Sequence, residues 1–246
     1  LTANNLLEFV KKDGNVLVAL SSEHATPTAV QSLLLELDIS VPNDKGALVV
    51  DHFNYDSTSA SEKHDVLLLP YPSALRPDVT NYFGGEGYIA IPRAVGQVLG
   101  NDSPLLSPIL RAPSTAYSYN PKDEAEVVED PFAVGQQLSI VSSMQALNSA
   151  RVTVLGSAEL LQNKWFAEKA KLGDKAVTTA NRDFAAKLTA WTFKETGVLK
   201  VGKVVHYQDE GASKKLNAST PESNPTIYRV KSDVVCLLSR FCWTSS

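Results

Sequence analysis

Asn15-Val-Leu-Val-Ala-Leu20 is a continuous apolar run, entered from Gly14 and left through Ser21-Ser22-Glu23-His24. A run without alternation reads as a buried strand covered on both faces, since a half-solvated strand would carry a polar residue at every second position. Ahead of it, residues 1–14 place Leu6, Leu7, Phe9 and Val10 at helical spacing, and Gly14 is expected to close that helix at C′ in the left-handed conformation. Behind it, Thr26 offers a hydroxyl to a new helix, Pro27 takes the first helical position, and Val30, Leu33, Leu34 and Leu37 line one face. Further apolar runs at 47–51, 66–69 and 151–155 repeat the strand signal. Strands alternating with helices predict an α/β fold with a mostly parallel sheet covered by helices on both faces.

The rest of the chain is read from this frame. Residues 71–130 hold short strands such as 88–91 between long Pro- and Gly-rich loops. Val134, Leu138, Val141 and Met144 predict a helix over 131–148, ended by Asn148, and a further helix begins near Glu159. A helix over 181–196 buries Phe184, Leu188 and Trp191 and stops at Gly197; 198–207 then reads as a strand bent at Gly202. The expected organisation is an α/β domain over 1–207, a loop and the start of a β segment over 208–233, and an atypical tail over 234–246 without native-like structure. That tail holds both cysteines, Cys236 and Cys242, and Trp243, a jump in composition against the preceding text.

Composition excludes several function classes. The 246 residues carry 23 Lys and Arg against 27 Asp and Glu, a net charge of -4, and the basic residues are scattered, so no footprint for nucleic acid or an anionic membrane is present. Two cysteines make neither a disulfide framework nor a four-cysteine zinc site. No apolar stretch of about 18 residues is present to span a bilayer.

Chemistry is sought first at the carboxyl ends of strands, where open α/β sheets bind their ligands. Ser21, Ser22, Glu23 and His24 follow the first strand, and Gly156, Ser157 and Glu159 follow the later one. A hydroxyl, an imidazole and a carboxylate could serve there as nucleophile, base and orienter, but these are also ordinary loop and cap residues, and no G-x-S-x-G elbow accompanies them. Gly85, Gly87 and Ala90 match a relaxed dinucleotide fingerprint; with Pro92 after Tyr88-Ile-Ala-Ile91 the segment reads as extended, so no cofactor is expected. His52 and His64 with Asp51, Asp56, Glu62 and Asp65 are metal-capable residue types at no recognised spacing, and they read as solvated loop groups. No catalytic, cofactor or metal residue is assigned. Asn101-Asp-Ser103 and Asn217-Ala-Ser219 are N-glycosylation acceptor candidates, at Asn101 and Asn217.

A series of motifs is more specific than any of these. In order come Asn101-Asp-Ser-Pro-Leu-Leu-Ser-Pro-Ile-Leu110, Ser114-Thr-Ala-Tyr-Ser-Tyr119, Ala133-Val-Gly-Gln-Gln-Leu138, Gln145-Ala-Leu-Asn-Ser-Ala-Arg-Val152 and Gly156-Ser157. With Gly14-Asn-Val-Leu-Val-Ala19, Asp51-His-Phe-Asn-Tyr-Asp56 and the run from Trp191 to Gly202, the chain from Leu6 to Asp233 resembles the 48 kDa subunit family of the endoplasmic reticulum oligosaccharyltransferase. The resemblance implies a flavodoxin-like or amidotransferase-like luminal domain and a non-catalytic subunit of the complex that moves a lipid-linked oligosaccharide onto Asn of N-x-Ser/Thr. The implied partners are the other subunits and the lipid-linked oligosaccharide. It also implies family segments before Leu1, so that the domain is N-terminally truncated, and a later membrane helix absent from this chain. Two other functions are weighed beside it. One is an amidotransferase-like or hydrolase-like enzyme using Ser22 or Ser157 with His24. The other is a scaffold domain of a ciliary transport complex.

Overall fold

The computed structural model describes residues 2–73, 81–100, 103–121, 130–166, 169–198, 204–208 and 234–238, the last two segments as backbone only. The chain divides into two compact units, Leu1–Glu195 and Thr196–Ser246. In the first, β1 (Val16–Ala19) lies parallel to β10 (Arg151–Leu155), with Val16 opposite Val152. β10 runs antiparallel to β9 (Leu138–Gln145), and β9 pairs antiparallel with β6 (Gln97–Leu99) and with β7 (Leu106–Arg111). β2 (Ile39–Ser40) adds to β6, which completes a six-stranded sheet of order β1-β10-β9-β6-β2 with β7 attached to β9. Three antiparallel pairs accompany it: β3 (Leu48–Val50) with β8 (Tyr117–Tyr119), β4 (Val66–Pro70) with β5 (Tyr88–Pro92), and β11 (Lys169–Leu172) with β12 (Lys175–Thr178).

The architecture is mixed α/β, and the expected mostly parallel sheet is corrected: among the described ladders of this unit only β1 with β10 is parallel. The apolar runs are strands as predicted, but an unalternating run reports coverage of both faces and says nothing of direction. β4 makes the point. Leu67 and Leu69 enter one buried cluster with Phe184 and Leu188, while Val66 and Leu68 enter another with Trp165 and Ala170, yet β4 is antiparallel to β5.

The helix expected over 131–148 is also corrected. A 3₁₀ turn at Gly135–Gln137 leads into β9, which is buried along seven of its eight residues. Leu138, Val141 and Met144 are buried as predicted, whereas Val134 is exposed. Asn148 does cap a helix, though a different one. Its Nδ2 donates to the carbonyls of Val10 and Lys11 at 2.8 and 3.0 Å, at the end of α1 (Ala3–Lys11). That end is a Schellman turn in which Gly14 N–H donates to Phe9 O and Asp13 N–H to Val10 O. The left-handed residue is Asp13, at φ 69°, rather than Gly14, and the expected role of Gly14 moves one residue back.

α2 (Thr28–Glu36) starts from Pro27 as N-cap without the expected Thr26 side-chain bond. The segment near Glu159 is a 3₁₀ turn, Ala158–Leu161, followed by the short α3 (Asn163–Phe166). α4 (Asn181–Thr192) buries Phe184, Leu188 and Trp191 as expected, and Lys194 at φ 62° ends it ahead of Gly197. Asn181, fully buried, accepts from Ala90 N–H and donates to Ala90 O, so the first residue of the helix completes the ladder of β5 in place of a strand.

The second unit contains β13 (Val204–Gln208) antiparallel to β14 (Val234–Leu238), with His206 opposite Cys236. The first five residues of the tail are therefore strand, contrary to expectation. Gly202, residues 209–233 and Cys242 lie outside the described residues, as do Asn101 and Asn217.

Candidate functional site

Because β1 and β10 are parallel neighbours, their carboxyl ends emerge together, and the two segments singled out in the sequence meet. The group that joins them is Arg93, just beyond β5. Its guanidinium donates from Nη1 to Glu23 Oε1 and from Nη2 and Nε to Glu159 Oε1, each at 2.8 Å. Its backbone sits at φ 45°, in the left-handed region, held by Arg93 N–H to Asp65 O at 2.7 Å. The hydrogen bond to Glu159 is the main reason that the guanidinium is held even more firmly protonated than usual, with burial opposing and the charges of Glu159, Glu23 and Asp65 adding. Sequence reading did not single out Arg93, since a lone arginine carries no signature.

The remaining residues of this group are structural. Ser157, buried, donates Oγ–H to Pro92 O, and Ser21 Oγ accepts from Glu23 N–H. Gly156 donates to Ile140 O and accepts from Val95 N–H, and a Cβ there would lie 2.5 Å from Val95 O. Ser22 is buried and lines a cleft of about 530 Å³ with Glu23, while His24 lines an apolar groove beside Leu6, Val30 and Leu33. Neither Ser22 nor Ser157 is hydrogen-bonded to His24, so the nucleophile and base of the enzyme reading are not assembled. Gly87, at φ 98°, turns the chain into β5, and Ala90 lies within that strand, so no helix follows the glycines.

The two histidines, read from the sequence as solvated loop groups, come together across twelve residues, with His52 exposed. His52 Nδ1 meets His64 Nδ1, His52 Nε2 lies 3.0 Å from Tyr117 Oη, and His64 Nε2 lies 3.2 Å from Ser61 O. A carbonyl only accepts, so His64 carries its proton on Nε2 when neutral. Its Nδ1 then accepts from His52 Nδ1–H, and His52 Nε2 accepts from Tyr117 O–H. Tyr55 packs against His64 with ring centroids 4.1 Å apart and the rings tilted by 42°. The neighbouring carboxylates are committed elsewhere. Asp51 accepts from Phe53 N–H, Asn54 N–H and Thr115 Oγ–H, and Asp56 from Thr58, Ser59 and Lys171 N–H. Among the described residues no group of three or more His, Cys, Asp or Glu is placed to hold a metal ion.

The wall of the cleft follows from the β3–β8 register. Leu48 opposes Tyr119 and Val50 opposes Tyr117, so these four share one face and line the cleft, while Val49 and Ser118 turn into the protein. Glu62, Lys63, Asp65 and Arg93 form the polar side and continue into a second cleft of about 350 Å³ that reaches Lys164 and Trp165.

The sequence matches the family model described as OST48, N-terminal domain, over residues 1–195. The chain belongs to the OST48 family. It is 35% identical over 211 residues to the dolichyl-diphosphooligosaccharide–protein glycosyltransferase 48 kDa subunit of Danio rerio, covering 84% of this chain and 46% of that protein. The Drosophila melanogaster protein of the same name is 31% identical over 236 residues, covering 94% of this chain and 51% of its own length. The Schizosaccharomyces pombe subunit wbp1 is 31% identical over 231 residues, at 94% and 48%. This OST48-family chain thus spans about half the length of these relatives. Among solved structures, the mmIFT52 N-terminal domain superposes with a TM-score of 0.51 over 81% of this chain and 72% of that one; at 16% identity the likeness is one of fold.

Proposed function

We propose that this chain acts in protein N-glycosylation as a non-catalytic luminal part of the oligosaccharyltransferase complex, in the endoplasmic reticulum. The observation that carries the reading is the OST48 family match across the first unit. The commitment of the strand-end residues to structural bonds supports it: Glu23 and Glu159 hold Arg93, and the Ser157 hydroxyl is spent on Pro92 O. Its partners are the other subunits of that complex and the lipid-linked oligosaccharide. Among the described residues no helix is long and apolar enough to cross a membrane.

The test is affinity purification of the tagged chain from detergent-solubilised cells of its own source, with the bound proteins identified by mass spectrometry. Oligosaccharyltransferase subunits should be recovered in stoichiometric amounts. Recovery of a transport complex instead, or of none of those subunits, would overturn the reading.

A further inference from the structure

We propose that His52 and His64 form a binding site for a divalent first-row transition metal, zinc or copper(II), for both of which imidazole nitrogen is a favoured ligand. The two rings converge on their Nδ1 atoms. A neutral imidazole offers a lone pair from one nitrogen only, so what the other nitrogen meets decides whether that lone pair is free. Here each Nε2 has an oxygen that can accept its proton. His64 Nε2–H donates to Ser61 O at 3.2 Å, and His52 Nε2 lies 3.0 Å from Tyr117 Oη, a hydroxyl that accepts as well as donates. A histidine whose outward N–H is held by an oxygen acceptor is the form that binds metal, because that bond fixes the tautomer and aims the remaining lone pair.

In the metal-free pair His52 Nδ1–H donates to His64 Nδ1, and a dication takes the place of that proton. His52 then carries its single proton on Nε2, directed at Tyr117 Oη. One proton leaves Nδ1 and one from water joins Nε2, so both rings stay neutral and none is released on balance. Two metal–nitrogen bonds of about 2.0 Å at a tetrahedral angle set the nitrogens about 3.3 Å apart, an opening that rotation of the exposed His52 side chain supplies. The backbone holds both ligands in place. His52 follows β3 directly and His64 precedes β4, and the loop between them is closed by Asp51 N–H to His64 O at 3.3 Å and His64 N–H to Ala60 O at 2.9 Å. His64 stands at φ 52°, with Tyr55 packed against its ring, and a non-glycine residue persists in that region only where its surroundings determine it. Asp51 and Asp56 spend carboxylate oxygens on backbone N–H groups, so the protein supplies two nitrogens and water completes the coordination. Calcium and magnesium, which require several oxygen ligands, are not served by this pair.

The experiment titrates the 246-residue chain, free of any affinity tag and with Cys236 and Cys242 alkylated so that no thiol competes, with zinc chloride by calorimetry and with copper(II) by electron paramagnetic resonance. Zinc should bind at micromolar concentration and resist displacement by millimolar magnesium or calcium, and the copper spectrum should show two coordinated nitrogens. His52→Ala should weaken zinc binding by about tenfold or more, and so should His64→Asn, whose side chain tolerates the left-handed backbone. Zinc should raise the urea midpoint of the parent and of neither variant. His52 is exposed, so His52→Ala keeps the fold whatever the fate of the second variant, and matched circular dichroism spectra check both. His24 and His206 remain in each, so metal held by them would bind all three chains alike. That result, no binding of either ion at micromolar concentration, or a copper spectrum with a single coordinated nitrogen would each overturn the proposal.

Discussion

Asp56 shows how a single buried carboxylate organises a loop. Burial alone would raise its pKa, but the backbone N–H groups of Lys171, Thr58 and Ser59 and the Ser59 hydroxyl together hold it below the ordinary 3.8. A depressed folded pKa contributes stability in full above the unfolded value near 3.9, and that contribution is lost as pH falls from there through the folded value. Asp56→Asn turns an NH₂ group toward one set of these donors and should cost about 1–3 kcal/mol at pH 7. Urea midpoints should fall below about pH 4 in the parent and fall less steeply in the variant. Gly156 is the second such position. With Val95 O at 2.5 Å and Ile140 O at 2.9 Å from an added Cβ, both of them backbone atoms, Gly156→Ala has no flexible neighbour to displace. It should cost about 1–3 kcal/mol, read from the same urea series. In the sequence Gly156 looked like an ordinary loop glycine at a strand end. What makes it necessary is the approach of residue 95, far upstream in the chain, which local text does not encode. The same holds for His52 and His64. Their residue types were legible, but their contact depends on Asp51 N–H pairing with His64 O, a bond between the two ends of a loop.

At the scale of the element, β9 is the instructive case. Ser139, Ser142 and Ser143 fall at helical spacing and imitate a solvated helix face, with Leu138, Val141 and Met144 as its apolar counterpart. In the protein all three serines are buried. Ser139 donates to the Leu110 and Val141 carbonyls, and Ser142 donates to Gln97 Oε1 at 2.5 Å. Hydroxyls that find partners inside a sheet erase the alternation that distinguishes a central strand, so periodicity misleads there. The strands at 16–19, 48–50, 66–70 and 151–155 were legible because their runs are apolar except for Arg151, at the start of the last, and Thr153 within it, and α4 because Phe184, Leu188 and Trp191 recur at helical spacing. Burial was thus read better than geometry. Leu138→Ala should cost about 2–5 kcal/mol whether the residue lies in a helix or a strand, because its side chain is fully buried in the cluster that holds Val49, Ile140 and Leu155. Trp191→Ala should cost about 3–5 kcal/mol, with an added loss from the Arg151 guanidinium that lies 4.5 Å over the Trp191 ring. A denaturant midpoint that hardly moves in either variant would contradict these burials.

At the scale of the molecule, the three hydrophobic clusters found among the residues whose side chains are described lie within Leu1–Glu195. The last residues they and the buried set include, Leu188, Trp191 and Thr192, belong to α4. The end of α4 is tied back to the start of the chain by Lys194 Nζ to Asp13 at 2.6 Å, and Arg151 Nη1 donates to Trp191 O from within the sheet. The family match also ends at residue 195. A unit that contains its own core and fastens its last helix to its first should fold without residues 196–246. The expectation is that a chain stopped after Glu195 unfolds in one cooperative transition, with a urea midpoint equal to that of the 246-residue chain within error. Trp165 and Trp191, both buried, supply the fluorescence signal for the shorter chain, and Trp243 adds a background only in the longer one. A lower midpoint, or a transition that broadens and loses cooperativity, would mean that the C-terminal residues contribute to the stability of the first unit. In that event the closure of the α4 end by Lys194 and Arg151 would be insufficient by itself, and the domain boundary would have to be moved toward the C-terminus.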